Sequence, residues 1–236
     1  MKVIPVIDLL NGVAVHAKKG DRATYQAIHS QLTPSSQPLD IVAALFDVYP
    51  FQQLYIADLN AIQKLETSHE NNYSVIASIK ERYPALELWV DAGISNNTEL
   101  HFWQGLDNRL IIGSENFANI ADYASLNIQD KNYILSLDFM PLGYQGPIEL
   151  LTNTEYWPQD VIVMSLSNVG ANHGVNIDLM RETIARAKGF NIIAAGGIRD
   201  ADDLVMLKEM GASATLLATA LHQKQISTEQ LEVIKQ

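Results

Sequence analysis

A closed barrel of eight parallel strands alternating with helices, the (β/α)8 architecture, is the fold class this sequence predicts. Three observations carry that expectation: eight apolar runs of strand length, helix-like segments between them, and a second half that echoes the first. The runs are residues 3–7, 54–57, 86–90, 110–112, 133–137, 161–164, 192–195 and 214–217. Each is continuously apolar rather than alternating, as a parallel strand must be when it is buried on both faces. An open doubly wound sheet is the competing layout for the same elements.

Between the runs, residues 41–48 and 74–81 carry apolar side chains at three- and four-residue spacing, the period of a helix face. Asn96 with Glu99, and Ser227 with Gln230, match the capping-box pattern at a helix start. Asp200 caps a helix over Ala201–Met210, which Gly211 then ends. Gly146-Pro147 and Trp157-Pro158 leave room for only a short helix between residues 144 and 160.

The internal echo is more specific than the strand count. Ala57-Asp58-Leu59-Asn60 corresponds to Met164-Ser165-Leu166-Ser167, Asp91-Ala92-Gly93-Ile94 to Ala195-Gly196-Gly197-Ile198, and Gly113-Ser114 to Ala218-Thr219, all in one register to within three residues. Val6-Ile7-Asp8-Leu9 corresponds to Ser136-Leu137-Asp138-Phe139 at a larger offset, so extra residues sit in the first strand-to-helix connection, around residues 12–38. Two similar half-barrels, with one long loop at the mouth, form a single expected domain over residues 1–236.

Composition narrows the function. Net charge is −11, and no run of Lys or Arg exceeds two residues, so nucleic acid and anionic membrane surfaces are poor partners. Cysteine is absent, which removes disulfides and thiolate chemistry and fits a reducing compartment. The apolar opening meets Asp8 too soon for a secretion signal, and no window approaches the ~18 apolar residues of a membrane span. A soluble, cytoplasmic protein is expected. Neither dinucleotide-binding nor Walker glycine motifs occur, and the six histidines lack metal-ligand spacing, so no cofactor is expected. Trp89, Trp103 and Trp157 read as core.

Asp8 and Asp138 end the first and fifth strands. Those strands are diametrically opposed in an eight-stranded barrel, whose catalytic groups cluster at the strands' C-terminal ends. Two carboxylates facing one another can move protons on opposite sides of one small substrate. Gly196, Gly197, Ala218 and Thr219 follow strands seven and eight, where a barrel of this kind holds phosphate on backbone N–H groups. The half-repeat predicts a second, opposed anion site from Gly93, Gly113 and Ser114, although the charge of Asp91 beside it would repel phosphate unless it points away. Asp58 either joins the pocket or caps the next helix. Asp178 lies in the first turn of a helix, where dipole stabilisation alone accounts for it.

Residues 4–12, Ile-Pro-Val-Ile-Asp-Leu-Leu-Asn-Gly, with Gly20-Asp21, then residues 54–61, Ala194-Ala195-Gly196-Gly197-Ile198 and Gly211-Ala212, resemble the isomerase and cyclase family of histidine biosynthesis over essentially the whole chain. The resemblance implies a cofactor-free Amadori rearrangement of a phosphorylated aminosugar, with Asp8 as general base and Asp138 as second catalytic carboxylate. Asp178 lines up with an aspartate that serves as acid in some relatives. Gly170 is what remains of an Asp-Gly-Thr pattern, here Val169-Gly170-Ala171, and Asp91-Ala92-Gly93 stands where Gly-Gly-Gly is usual. The chain equally resembles a diverged branch found in microbes with pterin or furan one-carbon carriers, which implies a different phosphorylated substrate. A binding barrel without turnover is the third alternative. A cyclase-type reaction would need ammonia from a glutaminase partner, and no sequence feature marks such a docking face.

Overall fold

In the computed structural model of the chain, residues 1–16, 24–65, 68–128, 132–166 and 174–235 are described, with residues 68–71 described by backbone only. Eight parallel strands form the barrel: β1 (Lys2–Leu10), β3 (Gln53–Asp58), β4 (Glu87–Asp91), β5 (Arg109–Gly113), β6 (Tyr133–Met140), β8 (Asp160–Ser165), β9 (Asn191–Ala195) and β10 (Ala214–Leu217). Each run of the sequence reading falls in one of them, except that Leu86 of the third run precedes β4. Parallel pairing of β10 with β1, from Lys2↔Ala214 to Pro5↔Leu217, closes the sheet and excludes the open arrangement.

The strands read as continuous apolar runs because they separate two hydrophobic regions. On β3, Leu54 and Ile56 pack outward with the helices while Tyr55 and Ala57 face the lumen; on β8, Val161 and Val163 pack outward while Ile162 faces inward. The period of two is therefore present, but both sets are apolar.

Around the barrel run α1 (Pro38–Val48), α2 (Leu59–Ile62), α3 (Ser68–Arg82), α4 (Asn97–Trp103), α5 (Ile120–Ala124), α6 (Ile148–Thr152), α7 (Ile177–Arg186), α8 (Ala201–Met210), α9 (Thr219–His222) and α10 (Thr228–Lys235). The start signals work as read. Asn96 accepts from the N–H groups of Thr98 and Glu99, Ser227 and Gln230 bond reciprocally, and Asp200 accepts from Asp203. Gly211 ends α8 at φ 96°, a left-handed conformation natural to glycine. Between residues 144 and 160 only the five-residue α6 and a 3-10 turn form. Trp103 and Trp157 are fully buried and Trp89 nearly so.

Two further strands extend the barrel. β2 (Val13–Val15) folds back antiparallel on β1 with Asp8 opposite Val15, and β7 (Gly143–Gln145) folds back on β6 with Asp138 opposite Gln145. Both half-barrels thus carry a hairpin immediately after their aspartate. In the first, Asn11 and Gly12 take φ 51° and 79°, the double left-handed turn that matches strand twist. Asn60 and Asn72 hold this turn: Asn11 N–H donates to Asn60 Oδ1 at 2.8 Å, and Gly12 N–H to Asn72 Oδ1 at 3.0 Å. In the second, Gly146 (φ 130°) lies so close to Ser114 that a Cβ would sit 2.5 Å from the Ser114 carbonyl oxygen.

Gly146→Ala therefore meets both a backbone clash and a disfavoured φ. Its expected effect is a loss of more than about 2 kcal/mol in urea unfolding, against a few tenths for the same change at the open Gly189 turn once its own φ strain is subtracted. Equal losses at the two positions would contradict the close packing.

Candidate active site

A cavity of about 310 Å³ opens at the C-terminal ends of the strands. Side-chain parity decides what enters it. On β1, Ile4 and Val6 face the lumen, so Asp8 does; on β6, Ile134 faces inward and Asp138 follows in phase; on β4, Trp89 faces inward and Asp91 follows. Asp8, Asp91, Glu115 and Asp138 all line the cavity. Asp58 is out of phase with Tyr55 and Ala57. It is fully buried, accepts the Ala61 N–H at 3.1 Å as the cap of α2, and accepts from Asn72 at 2.6 Å. It caps and does not join the pocket.

Asp8 and Asp138 stand on strands one and five of the closed ring, facing one another across the cavity. Burial raises the Asp8 pKa to about 7, with a further push from the charge of Asp91. Burial likewise raises Asp138 to about 8, helped by Glu115 and Asp91 and opposed by the Ser136 hydroxyl. Asp138 is 5% exposed and tightly oriented. Ser136 Oγ donates to its Oδ1 at 2.6 Å, and the Glu115 N–H to its Oδ2 at 3.2 Å. Tyr55, buried in the lumen, donates its hydroxyl to Asp91 Oδ2 at 3.1 Å.

The residues expected to hold an anion after strands seven and eight stand in the cavity wall. Gly196, Gly197, Ala218 and Thr219 all line it, with the two glycines at φ 97° and 85°. Three histidines that the sequence reading passed over join this side: His16, His29 and His222. His16 Nε2 lies 3.4 Å from Thr219 Oγ1. His222 is buried against Ser30 (3.0 Å), and burial, aided by His16, lowers its pKa to about 4. Their lack of metal spacing had hidden them; the hairpin that swings His16 over β10 is a tertiary feature.

The second anion site requires correction. Gly93, Gly113 and Ser114 do not line the cavity. The Gly93 N–H donates to Asp91 Oδ1 at 3.1 Å, and the site of its missing Cβ is 2.7 Å from Ile62 Cα, so this glycine serves close backbone packing. Ser114 is fully buried beneath the β7 hairpin; its hydroxyl donates to the Gln145 carbonyl at 2.7 Å and accepts the Asp138 N–H at 3.0 Å. It positions a carboxylate instead of holding an anion. Gly113 is buried, and a Cβ there would stand 3.1 Å from Asp138 Oδ2. Asp178 also falls away from the site. Its side chain is 88% exposed in the first turn of α7 and pairs with Arg181 at 3.0 Å. Gly170 lies outside the described residues.

A closed (β/α)8 barrel with a strand-end pocket lined by opposed carboxylates is the class that this fold and site define. Within that class, the chain belongs to the family described as histidine biosynthesis protein, whose model matches residues 2–227. An uncharacterized protein of Methanocaldococcus jannaschii is 29% identical over 98% of this chain and 97% of its own length. The 1-(5-phosphoribosyl)-5-((5-phosphoribosylamino)methylideneamino) imidazole-4-carboxamide isomerase of Flavobacterium johnsoniae, in short the ProFAR isomerase, is 27% identical over 98% of both chains. The 3-hexulose-6-phosphate synthase of Salmonella typhimurium shares the fold, with TM-score 0.65 at 16% identity over 99% of this chain and 98% of that one.

The raised carboxyl pKa values have a thermodynamic signature. Native Asp8 and Asp138 hold protons that the unfolded chain, with carboxyls near 3.8, has released, so their contribution to stability is greatest at acid pH and falls as pH rises from about 4 to about 8. Asp138→Asn removes the Asp138 share of this dependence. Calorimetric melting is expected to show the variant gaining on the parent by several degrees more at pH 8.5 than at pH 5. A gap independent of pH would contradict the burial of an ionisable group here.

Proposed function

We propose that this chain is an aldose–ketose isomerase of the Amadori type that acts on a phosphorylated aminosugar by acid–base chemistry alone. One observation carries the reading: two carboxylates on opposed strands face one cavity, with pKa values near 7 and 8. At neutral pH, one of them is substantially ionised and the other mostly protonated, which suits a base and an acid working on one substrate. The family membership and the names of the relatives support the same class of reaction.

In this mechanism Asp138 protonates the ring oxygen of the aminoaldose. The C1–O bond breaks and the nitrogen lone pair forms a protonated Schiff base. Asp8 then removes the proton at C2, so that the C2–H electron pair forms the C1=C2 bond and the C=N pair returns to nitrogen, giving an enaminol; protonation at C1 with loss of the 2-hydroxyl proton gives the aminoketose. The Ser136 hydroxyl and Glu115 N–H keep the Asp138 carboxyl aimed throughout. The glycines at 196 and 197, with Thr219, hold the phosphate and fix the sugar's register between the two aspartates.

Isomerisation of ribosylamine 5-phosphates, followed by NMR, tests this reading. Asp8→Asn and Asp138→Asn are each expected to lower kcat by about 10²–10⁴-fold. The parent's kcat/KM is expected to follow a narrow bell whose limbs fall near 7 and 8. Turnover that survives both substitutions would sink the proposal, and so would a protein that binds these sugars without converting them.

A second reading, a paralogue acting on a different phosphorylated substrate, is favoured over ProFAR itself by the fate of Gly93, Gly113 and Ser114. The ProFAR isomerases are named for a substrate with two phosphoribosyl groups, and this cavity has lost one of two expected cradles. Well-expressed protein is accordingly expected not to rescue growth of a histidine auxotroph lacking that isomerase; rescue would restore ProFAR as the substrate.

A further inference from the structure

The first strand-to-helix connection builds part of the cavity wall, and one buried side chain ties it to the barrel. After the β1–β2 hairpin the chain returns as a third antiparallel segment. Val15 stands opposite Ala27, the His16 N–H donates to the Gln26 carbonyl at 2.9 Å, and the Ile28 N–H donates to the Ala14 carbonyl at 2.9 Å. Tyr25, Ile28 and His29 of this segment line the cavity. Residues 28–37 form neither helix nor strand, so their order depends on bonds to other elements. His222, the last residue of α9, makes two of those bonds. Its carbonyl accepts the Gln31 N–H at 2.8 Å, and its Nδ1 lies 3.0 Å from Ser30 Oγ. The ring is buried and also hydrogen-bonds the backbone of Val6, two residues before Asp8. That bond favours the protonated ring, as a carbonyl taking a ring N–H does, so Nε2 carries the proton and Nδ1 accepts from the Ser30 hydroxyl. The same Ser30 oxygen accepts the Leu32 N–H at 3.1 Å. One neutral imidazole thus joins β1, α9 and the loop.

From this we infer that His222 and Ser30 are positioning residues: they pre-order the wall that carries Tyr25, Ile28 and His29, and through it they set the affinity of the cavity for a phosphosugar. The inference rests on the isomerase reading for the class of ligand and deepens it by assigning this pair. A wall fixed before binding spares the ligand the entropy of ordering it, because only the ordered fraction of the protein binds. Neither residue moves a proton of the substrate. Asp138 takes its aim from Ser136 and Glu115, and Asp8 from its place in β1, so the loop bears on binding and not on the chemical step.

Calorimetric titration of the full chain with ribose 5-phosphate, beside amide hydrogen exchange read by mass spectrometry, tests this. Ser30→Ala is expected to weaken binding about three- to tenfold, the worth of one hydrogen bond, and to quicken exchange across residues 24–32 in step, with β10 unchanged. His222→Phe is expected to weaken binding at least as much, and adding Ser30→Ala to it is expected to change affinity by less than about twofold. His222→Asn, which restores an acceptor to the Ser30 hydroxyl, is expected to recover part of the loss. In isomerisation of a ribosylamine 5-phosphate, Ser30→Ala is expected to raise KM while kcat stays within about twofold. Should His222→Phe fail to fold, Ser30→Ala decides the matter alone. Unchanged affinity, unchanged exchange, additive losses in the double variant, a fall in kcat with KM intact, or a parent protein that binds no ribose 5-phosphate would each overturn the inference. Binding and exchange are read without turnover, so the two readings fail separately. The expected pattern in a protein that does not isomerise would remove the catalytic proposal alone, while an active isomerase whose affinity ignores Ser30→Ala would remove only the role of this pair.

Discussion

Everything at the mouth of this barrel depends on the alternation of side chains along closed strands. Once β10 pairs with β1, each strand has one set of residues committed to the lumen and one to the helices, and the last lumenal residue before the chain turns away must face the mouth. Ile4, Val6 and then Asp8; Ile134, Ser136 and then Asp138; Trp89 and then Asp91: each carboxylate takes its position from the lumenal residues below it. A one-residue slip in any strand would turn its acid out among the helices, as Asp58 shows by its phase.

The same lumen sets the chemistry. At the opposite end of the barrel, Asp160 pairs with Arg109 at 2.8 Å. At the mouth, burial and the charges of Asp91 and Glu115 push Asp8 and Asp138 toward neutrality. Stability therefore falls as pH rises from about 4 to about 8, because the folded chain holds two protons there that the unfolded chain releases.

The doubled architecture is symmetric in backbone and asymmetric in chemistry. Both halves have a hairpin in the same register after the aspartate, Asp8↔Val15 and Asp138↔Gln145. The first hairpin leans toward β10 and brings His16 to Thr219; the second folds onto Ser114 and closes it. One half therefore keeps an open glycine-lined wall and the other spends the equivalent residues on orienting Asp138. From a repeat pattern alone, two cradles are the natural expectation, because the pattern reports shared backbone and not what later packs upon it.

The eight strands, the caps at Asn96, Asp200 and Ser227, the glycine stop at 211 and the pairing of Asp8 with Asp138 were all legible in the chain, because each follows from local pattern or from a periodicity of two or 3.6. Parity could also have placed Asp91 inside and Asp58 outside, had it been carried one residue beyond each apolar run. Tertiary structure alone decided the rest. Ser114 and Gly113 have the residue types of an anion site, and only the packing of Gly146 shows them to be sealed; Asp178 has the charge of a catalytic acid, and only its exposure at the start of α7 removes it. The histidines at 16, 29 and 222, far apart in the chain, reach one wall only because barrel closure and the first hairpin bring them there. Local sequence sets the direction of each side chain along its own strand, whereas access to the cavity depends on which distant backbone comes to lie across it.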